Sequence, residues 1–135
     1  MSAKTVAIAC DHAGFNLKSV LKQDLEDLGY TPLDLGTNGP ESVDYPDFGQ
    51  ALGEAIADGR ADMGVLVCGS GIGISIAANR NPAVRAAVVT NSLTAQLSRQ
   101  HNDANVVCFG ERLVGSEIAR NAMKVFLETE FEGGR

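Results

Sequence analysis

Residues 65–80 read VLVCGSGIGISIAANR: an apolar run ends in a thiol, Cys68, then come three glycines at 69, 71 and 73, then a stretch of helical period. Buried strand, tight turn and helix are the repeating unit of a parallel α/β sheet. The glycines lack the Cβ atoms that hold a ligand off the backbone, so successive N–H groups can converge on an anion at a helix start. Cys68 stands beside that cradle, whose N–H donors favour a thiolate. A plain strand-to-helix turn around a buried cysteine gives the same pattern, so the choice rests on the remaining stretches.

The same alternation extends on both sides. Residues 5–10 form an apolar, β-branched run that fits a doubly buried strand, followed by the turn Asp11, His12, Ala13, Gly14. Leu17, Leu21, Leu25 and Leu28 then recur at helical spacing up to Gly29, with Lys18, Lys22, Asp24 and Glu26 expected to face water. A second strand is expected over 30–34, and the glycine- and proline-rich stretch 36–46 is a loop able to reach over a site. Phe48, Leu52, Ala55 and Ile56 make the next helical stripe before the strand 63–67, and Pro82 stops the helix that follows the glycines. A fourth buried strand is expected over 84–90, and Asn91 or Ser92 caps a helix carrying Leu93 and Leu97. The strand 106–109, a loop over 110–115 and a stripe of Ile118, Ala122, Val125 and Phe126 complete the chain.

Five strand–helix units predict one domain over residues 1–135, a Rossmann-like α/β sandwich. Its five-stranded parallel sheet is expected in the order 2-1-3-4-5, with helices on both faces. Ligands bind such sheets at the carboxyl ends of the strands, where the strand order reverses. The first and third strands flank that point. Asp11-His12 and Cys68-Gly69-Ser70-Gly71 follow them, so the two most reactive-looking turns should face one crevice, which argues for a site over a plain turn.

Composition narrows the partners. The net charge of −6 with only 11 Lys and Arg argues against nucleic acid or a membrane surface, and a small anion would need a local positive pocket. No apolar run approaches the ~18 residues of a membrane span, and the amino-terminal residues carry no signal-peptide pattern, so a cytoplasmic protein is expected. Three cysteines at wide spacing, Cys10, Cys68 and Cys108, suggest neither a disulfide framework nor a thiolate zinc site; Cys10 and Cys108 read as small core residues.

Other anion-binding motifs fail on spacing. The glycines do not make G-x-G-x-x-G, no acidic residue stands at the ribose-binding offset, and G-x-x-x-x-G-K-[ST] is absent. A C-x5-R phosphatase would need arginine where Ile74 stands, and a receiver domain would need aspartate where Cys68 stands. The two histidines, His12 and His101, are each expected in a loop on the ligand side. With Asp11 and Asp103 they lack the spacing of a metal site, so an organic acid–base role is the better reading and no metal is expected.

The combination of CDHAGF at 10–15, DYPDF at 44–48, the 65–80 stretch and LSRQHNDANVVCFGER at 97–112 resembles the type B ribose-5-phosphate isomerases along almost the whole chain. The wider family includes galactose-6-phosphate isomerase subunits. The resemblance implies interconversion of ribose 5-phosphate and ribulose 5-phosphate through an enediol, without cofactor. It makes Cys68 the base and His101 the ring-opening residue. Gly69, Gly71, Ile72 and Gly73 would hold the enediolate through their N–H groups, with Ser70 relaying a proton between its oxygens. Asp11, His12, Asn102 and Arg112 would contact substrate, Tyr45 would wall the pocket, and Arg135 would bind phosphate. Some relatives carry a glutamate at the position of Ile74 and lack the cysteine. The resemblance further implies a homodimer or a dimer of dimers with shared sites. A six-carbon sugar phosphate as substrate, or a non-catalytic sugar-phosphate-binding subunit, are the alternative readings.

Overall fold

Side chains of a strand point alternately to its two faces, so a strand whose every position is apolar must be covered on both. In the computed structural model, which describes residues 4–39 and 41–133, five parallel strands meet that condition to different degrees. They are β1 (Thr5–Cys10), β2 (Thr31–Asp34), β3 (Met63–Cys68), β4 (Ala86–Val88) and β5 (Val106–Gly110). Helices α1 (Phe15–Asp27), α2 (Tyr45–Ala57), α3 (Ile72–Asn79), α4 (Ser92–Gln100) and α5 (Ser116–Glu128) connect and follow them. On one face Ile8, Val67 and Phe109 pack with Leu21 of α1, Ala95 of α4 and Phe126 of α5. On the other, Ala9, Leu66 and Cys108 pack with Leu52 of α2 and Ile74 of α3.

The α/β class and the parallel five-stranded sheet are as expected, but the order is β2-β1-β3-β5-β4, so the expected sequence 2-1-3-4-5 is wrong in its last two places. Burial explains the exchange. All five residues of β5 are buried, whereas the Val88 side chain of β4 is exposed and Ala86 and Ala87 are half-buried. The interior slot goes to the strand that loses most by facing water. β4 is also three residues long rather than the seven of 84–90, as a short edge strand should be. Because the chain turns back from β4 to β5, a right-handed crossover carries α4 to the face of α1 and α5 instead of that of α2 and α3. At the outer edge Asn79 accepts from the Ala86 N–H at 2.7 Å and donates to its carbonyl at 3.0 Å.

Lys18, expected in water, is almost fully buried. Its ammonium donates to both Asp34 carboxylate oxygens at 3.0 Å, to the Thr37 carbonyl at 2.8 Å and to Asn38 Oδ1 at 3.3 Å. Asp34 also accepts from Lys22 at 3.1 Å and from the Gly36 N–H at 3.0 Å. Helical spacing placed Lys18 on the wet side of α1, but the end of β2 and the loop after it fold over that side and together supply acceptors for every proton. Burial pushes the Asp34 carboxyl up, yet the Gly36 N–H and the two ammonium groups outweigh it and hold it below the usual carboxylate value.

A carboxyl depressed in the folded state stabilises above its unfolded pKa, ~3.9, and that contribution fades as pH falls through the lower folded value. Asp34→Asn leaves a buried ammonium half-paired and should cost about 3 kcal/mol near neutral pH. Urea unfolding across pH should show the gap between wild type and variant narrowing as pH falls below about 4 and on through the lower folded value; a gap that stays constant through that fall would rule out this pair as its source.

Candidate active site

The carboxyl ends of β1, β3 and β5 meet at closely packed turns. Gly71 caps α3 with φ of +80°, and a Cβ there would stand 2.9 Å from the Phe109 carbonyl carbon. A Cβ on Gly110 would stand 2.5 Å from the Ser70 carbonyl carbon. The turns after β3 and β5 therefore touch backbone to backbone. The Glu111 N–H donates to the Cys68 carbonyl at 2.9 Å and the Arg112 N–H to the Gly69 carbonyl at 3.1 Å. Arg112 lays its guanidinium over Gly69, with Nη1 3.2 Å from where a Cβ would be. Glu111 reaches the other way: its Oε1 accepts from the Leu17 N–H at 2.7 Å, capping α1, whose own N-cap residue, Gly14, has no side chain to do so.

Asp11, His12, Tyr45, Cys68, Gly69, Ser70, Gly73 and Arg112 line one cleft of about 330 Å³, the small end of the range for ligand pockets. Ala13 and Leu113, which carry no chemical signature in the sequence, line it as well. The Gly71 N–H donates to Cys68 Sγ at 3.1 Å, and the Ile72 N–H donates to Ser70 Oγ at 3.1 Å. These two amides are thus spent on the reactive side chains rather than left open to a ligand, whereas the Gly69, Ser70 and Gly73 amides have no acceptor among the described residues.

His12 is held by Val43, whose N–H meets Nδ1 at 3.1 Å and whose carbonyl lies 3.2 Å from the same nitrogen. That grip leaves Nε2 for a ligand. Asp11 turns one carboxylate oxygen back to the Ala13 N–H at 2.9 Å. Tyr45, the first residue of α2, rests its ring on the α3 start, 2.9 Å from where a Cβ of Gly73 would be. Val43 was missed in the sequence because it acts through its backbone. Among the described residues no three of His, Cys, Asp and Glu converge as metal ligands, and no helix is long and apolar enough to cross a membrane.

His101 and Asn102 are elsewhere. They end α4 and lead into β5, and a helix that enters a parallel strand must end at the amino edge of the sheet. The expectation that His101 lies on the ligand side with Cys68 is therefore wrong within one chain. From Gly64, level with the start of β5, to Cys68 is about 13 Å along β3. Asn102 lines a different depression, with Asn79 and Arg85. Arg135 lies outside the described residues.

A thiol and open amides in a small cleft at the switch point of a doubly wound sheet define a small-molecule site of the α/β kind. The chain belongs to the ribose/galactose isomerase family, whose model matches residues 6–135, and is a sugar-phosphate isomerase. It is 46% identical over 132 residues to ribose-5-phosphate isomerase B of Escherichia coli (98% of this chain, 89% of that one). It is 38% identical over 127 residues to galactose-6-phosphate isomerase subunit LacB of Clostridium acetobutylicum (94% and 73%). The structure of Clostridium thermocellum ribose-5-phosphate isomerase B superposes with a TM-score of 0.96 at 50% identity (97% and 88%). The likeness to type B ribose-5-phosphate isomerases carried by the motifs is borne out.

The three thiols should separate in a labelling experiment. Cys68 faces the cleft, whereas Cys10 and Cys108 have no exposed surface. Burial pushes the Cys10 thiol up to about 11 and the Cys108 thiol higher still. Iodoacetamide on the folded protein, read by peptide mass mapping, should modify Cys68 first; equal modification of Cys10 or Cys108 would contradict this placement.

Proposed function

We propose that the protein interconverts ribose 5-phosphate and ribulose 5-phosphate through an enediolate, without cofactor, and that Cys68 is the base. The contact of the Gly71 N–H with Cys68 Sγ, at the floor of a cleft with open amides beside it, carries this reading. The thiolate takes the proton from C2 of the open-chain aldose, charge moves onto O1, and the thiol returns the proton to C1. Ser70 transfers the hydroxyl proton between O2 and O1. A proton α to a carbonyl is weakly acidic, so the rate depends on preorganised donors to the developing oxyanion, each typically worth ~3 kcal/mol. The Gly69, Ser70 and Gly73 amides are the donors available in this chain. Gly71 and Ile72 contribute by orienting the two side chains. Asp11 and His12 bind sugar hydroxyls, Tyr45 closes one wall, and Arg112 takes the phosphate together with Arg135.

His101 opens the furanose ring and Asn102 assists, both from a second copy of the chain. Their place at the amino edge of the sheet supports this, since a cleft complete in one chain would need them beside Cys68. The helices flanking β4 expose Ile72 and Ile76 on α3 and Leu93 and Leu97 on α4, apolar surface that suits a homodimer, alone or paired again. The relative that isomerises galactose 6-phosphate supports a second reading, a six-carbon sugar phosphate. Comparing kcat/KM for ribose 5-phosphate, allose 6-phosphate and galactose 6-phosphate decides between them, and preference for either hexose would overturn the pentose assignment.

Cys68→Ala should lower kcat by ~100-fold or more with folding intact; turnover above about a tenth of wild type would mean another base. Shared sites have a sharper consequence. Cys68→Ala and His101→Ala chains, each impaired alone, should together recover about a quarter of wild-type activity on co-expression, because half of the random pairs are mixed and each holds one intact site. No recovery in verified mixed dimers would place both residues in one chain's site.

A further inference from the structure

His101, half-buried, makes no side-chain hydrogen bond among the described residues, so no polar contact within the chain fixes its ring and its aim follows the backbone that bears it. Arg99 is the side chain that ties this backbone to α5. From the last turn of α4 its Nη1 donates to Asp103 Oδ1 at 2.8 Å and to the Ala104 carbonyl at 2.7 Å. Its Nε donates to the Thr129 carbonyl just past α5 at 2.9 Å. The guanidinium lies 5.8 Å from the Phe126 ring centroid, and the side chain is only 13% exposed.

These contacts bracket the turn that carries His101 and Asn102. Arg99 precedes the pair, and its acceptors Asp103 and Ala104 follow it. Asp103 adopts φ of +49°, a left-handed conformation that aspartate tolerates better than most residues, and the ion pair at 2.8 Å ties its carboxylate to Arg99. The Ala104 N–H returns to the Ser98 carbonyl at 2.9 Å, closing the turn behind Arg99. On the outer side Arg85 Nε donates to the Asn102 carbonyl at 2.9 Å. A planar fork meeting a carboxylate and two carbonyls in fixed directions is a task for arginine that a lysine cannot repeat.

We propose that Arg99 is a positioning residue for ring opening: it fixes the 101–104 turn against the end of α5 and so aims a histidine whose ring has no hydrogen bond among the described residues. The proposal rests on the reading of His101 as the ring-opening residue. It predicts a defect in one step only. Enolisation at Cys68 continues, while closure of the bound open-chain aldose to the furanose slows.

The test starts from ribulose 5-phosphate in deuterated water and follows by NMR both deuterium entry at C1 of the ketose and net formation of aldose. Arg99→Met keeps the stem over Phe126 and removes the donors. It should raise the ratio of exchange to net isomerisation about tenfold, since misplacement of a reacting group by about 1 Å can cost up to ~100-fold. His101→Ala should raise it further, and Arg99→Lys should fall between Arg99→Met and wild type. A purely structural loss lowers both rates together and leaves the ratio at the wild-type value, which would overturn the proposal. If Arg99→Met fails to fold by circular dichroism, Arg99→Lys carries the test with the same two outcomes. The His101→Ala control separates the failures. An unchanged ratio there defeats the ring-opening reading, and with it the role of Arg99; a raised ratio there beside an unchanged one in the folded Arg99 variant defeats the positioning role alone.

Discussion

Two turns at the carboxyl edge of the sheet run closer together than side chains permit. Gly71 and Gly110 allow the backbone after β3 to lie on the backbone after β5, with a hypothetical Cβ as near as 2.5 Å to the opposing carbonyl carbon. The rest of the cleft depends on that approach. It lets Arg112 bond to Gly69 through its backbone and cover it with its guanidinium, and it places Glu111 where a carboxylate caps α1. The left-handed turn at Gly71 points an amide at Cys68. A single added methyl at either glycine would disturb the thiol, the arginine and the start of α1 together, although none of the three is adjacent to the others in sequence.

The parallel sheet imposes a second division. Every loop that leaves a strand is at one edge and every loop that leaves a helix is at the other. Asp11, His12, Cys68, Ser70 and Arg112 all leave strands and share the cleft, while His101 and Asn102 leave a helix and cannot join them in the same chain. A site that used both groups would have to draw on two copies, and in the reaction proposed above assembly would then be part of the chemistry and not only of stability.

Much of this was legible in the residues. The strand–turn–helix of 65–80 and its repeats gave the class, and the turns after β1 and β3 gave the heart of the cleft, because glycine, thiol, carboxylate and imidazole cluster at two points of a predictable sheet. The order of the last two strands was not legible. Residues 84–90 and 106–109 both read as apolar strands, and packing reveals that VVCFG is covered on both faces while β4 stays at the edge. Helical periodicity placed Lys18 in water because it describes one helix alone and is blind to a strand end and loop that bring a carboxylate and a carbonyl against it. The grip of Val43 on His12 and the cap that Glu111 gives α1 were hidden for a related reason: backbone groups have no letter in the sequence, and Glu111 and Leu17 are 94 positions apart.

The edge of the sheet is finished by one amide side chain. Asn79 presents to Ala86 the same acceptor and donor that a neighbouring strand would offer. The outward ladder of a three-residue strand is thereby occupied at its first rung, and the short remainder gives an incoming chain little to pair with. Growth of the sheet by strand addition at this edge, one route to end-to-end aggregates, is disfavoured from within the fold. Copies of the chain that approach this edge have to meet side chain to side chain, where shape and charge can discriminate one partner from another.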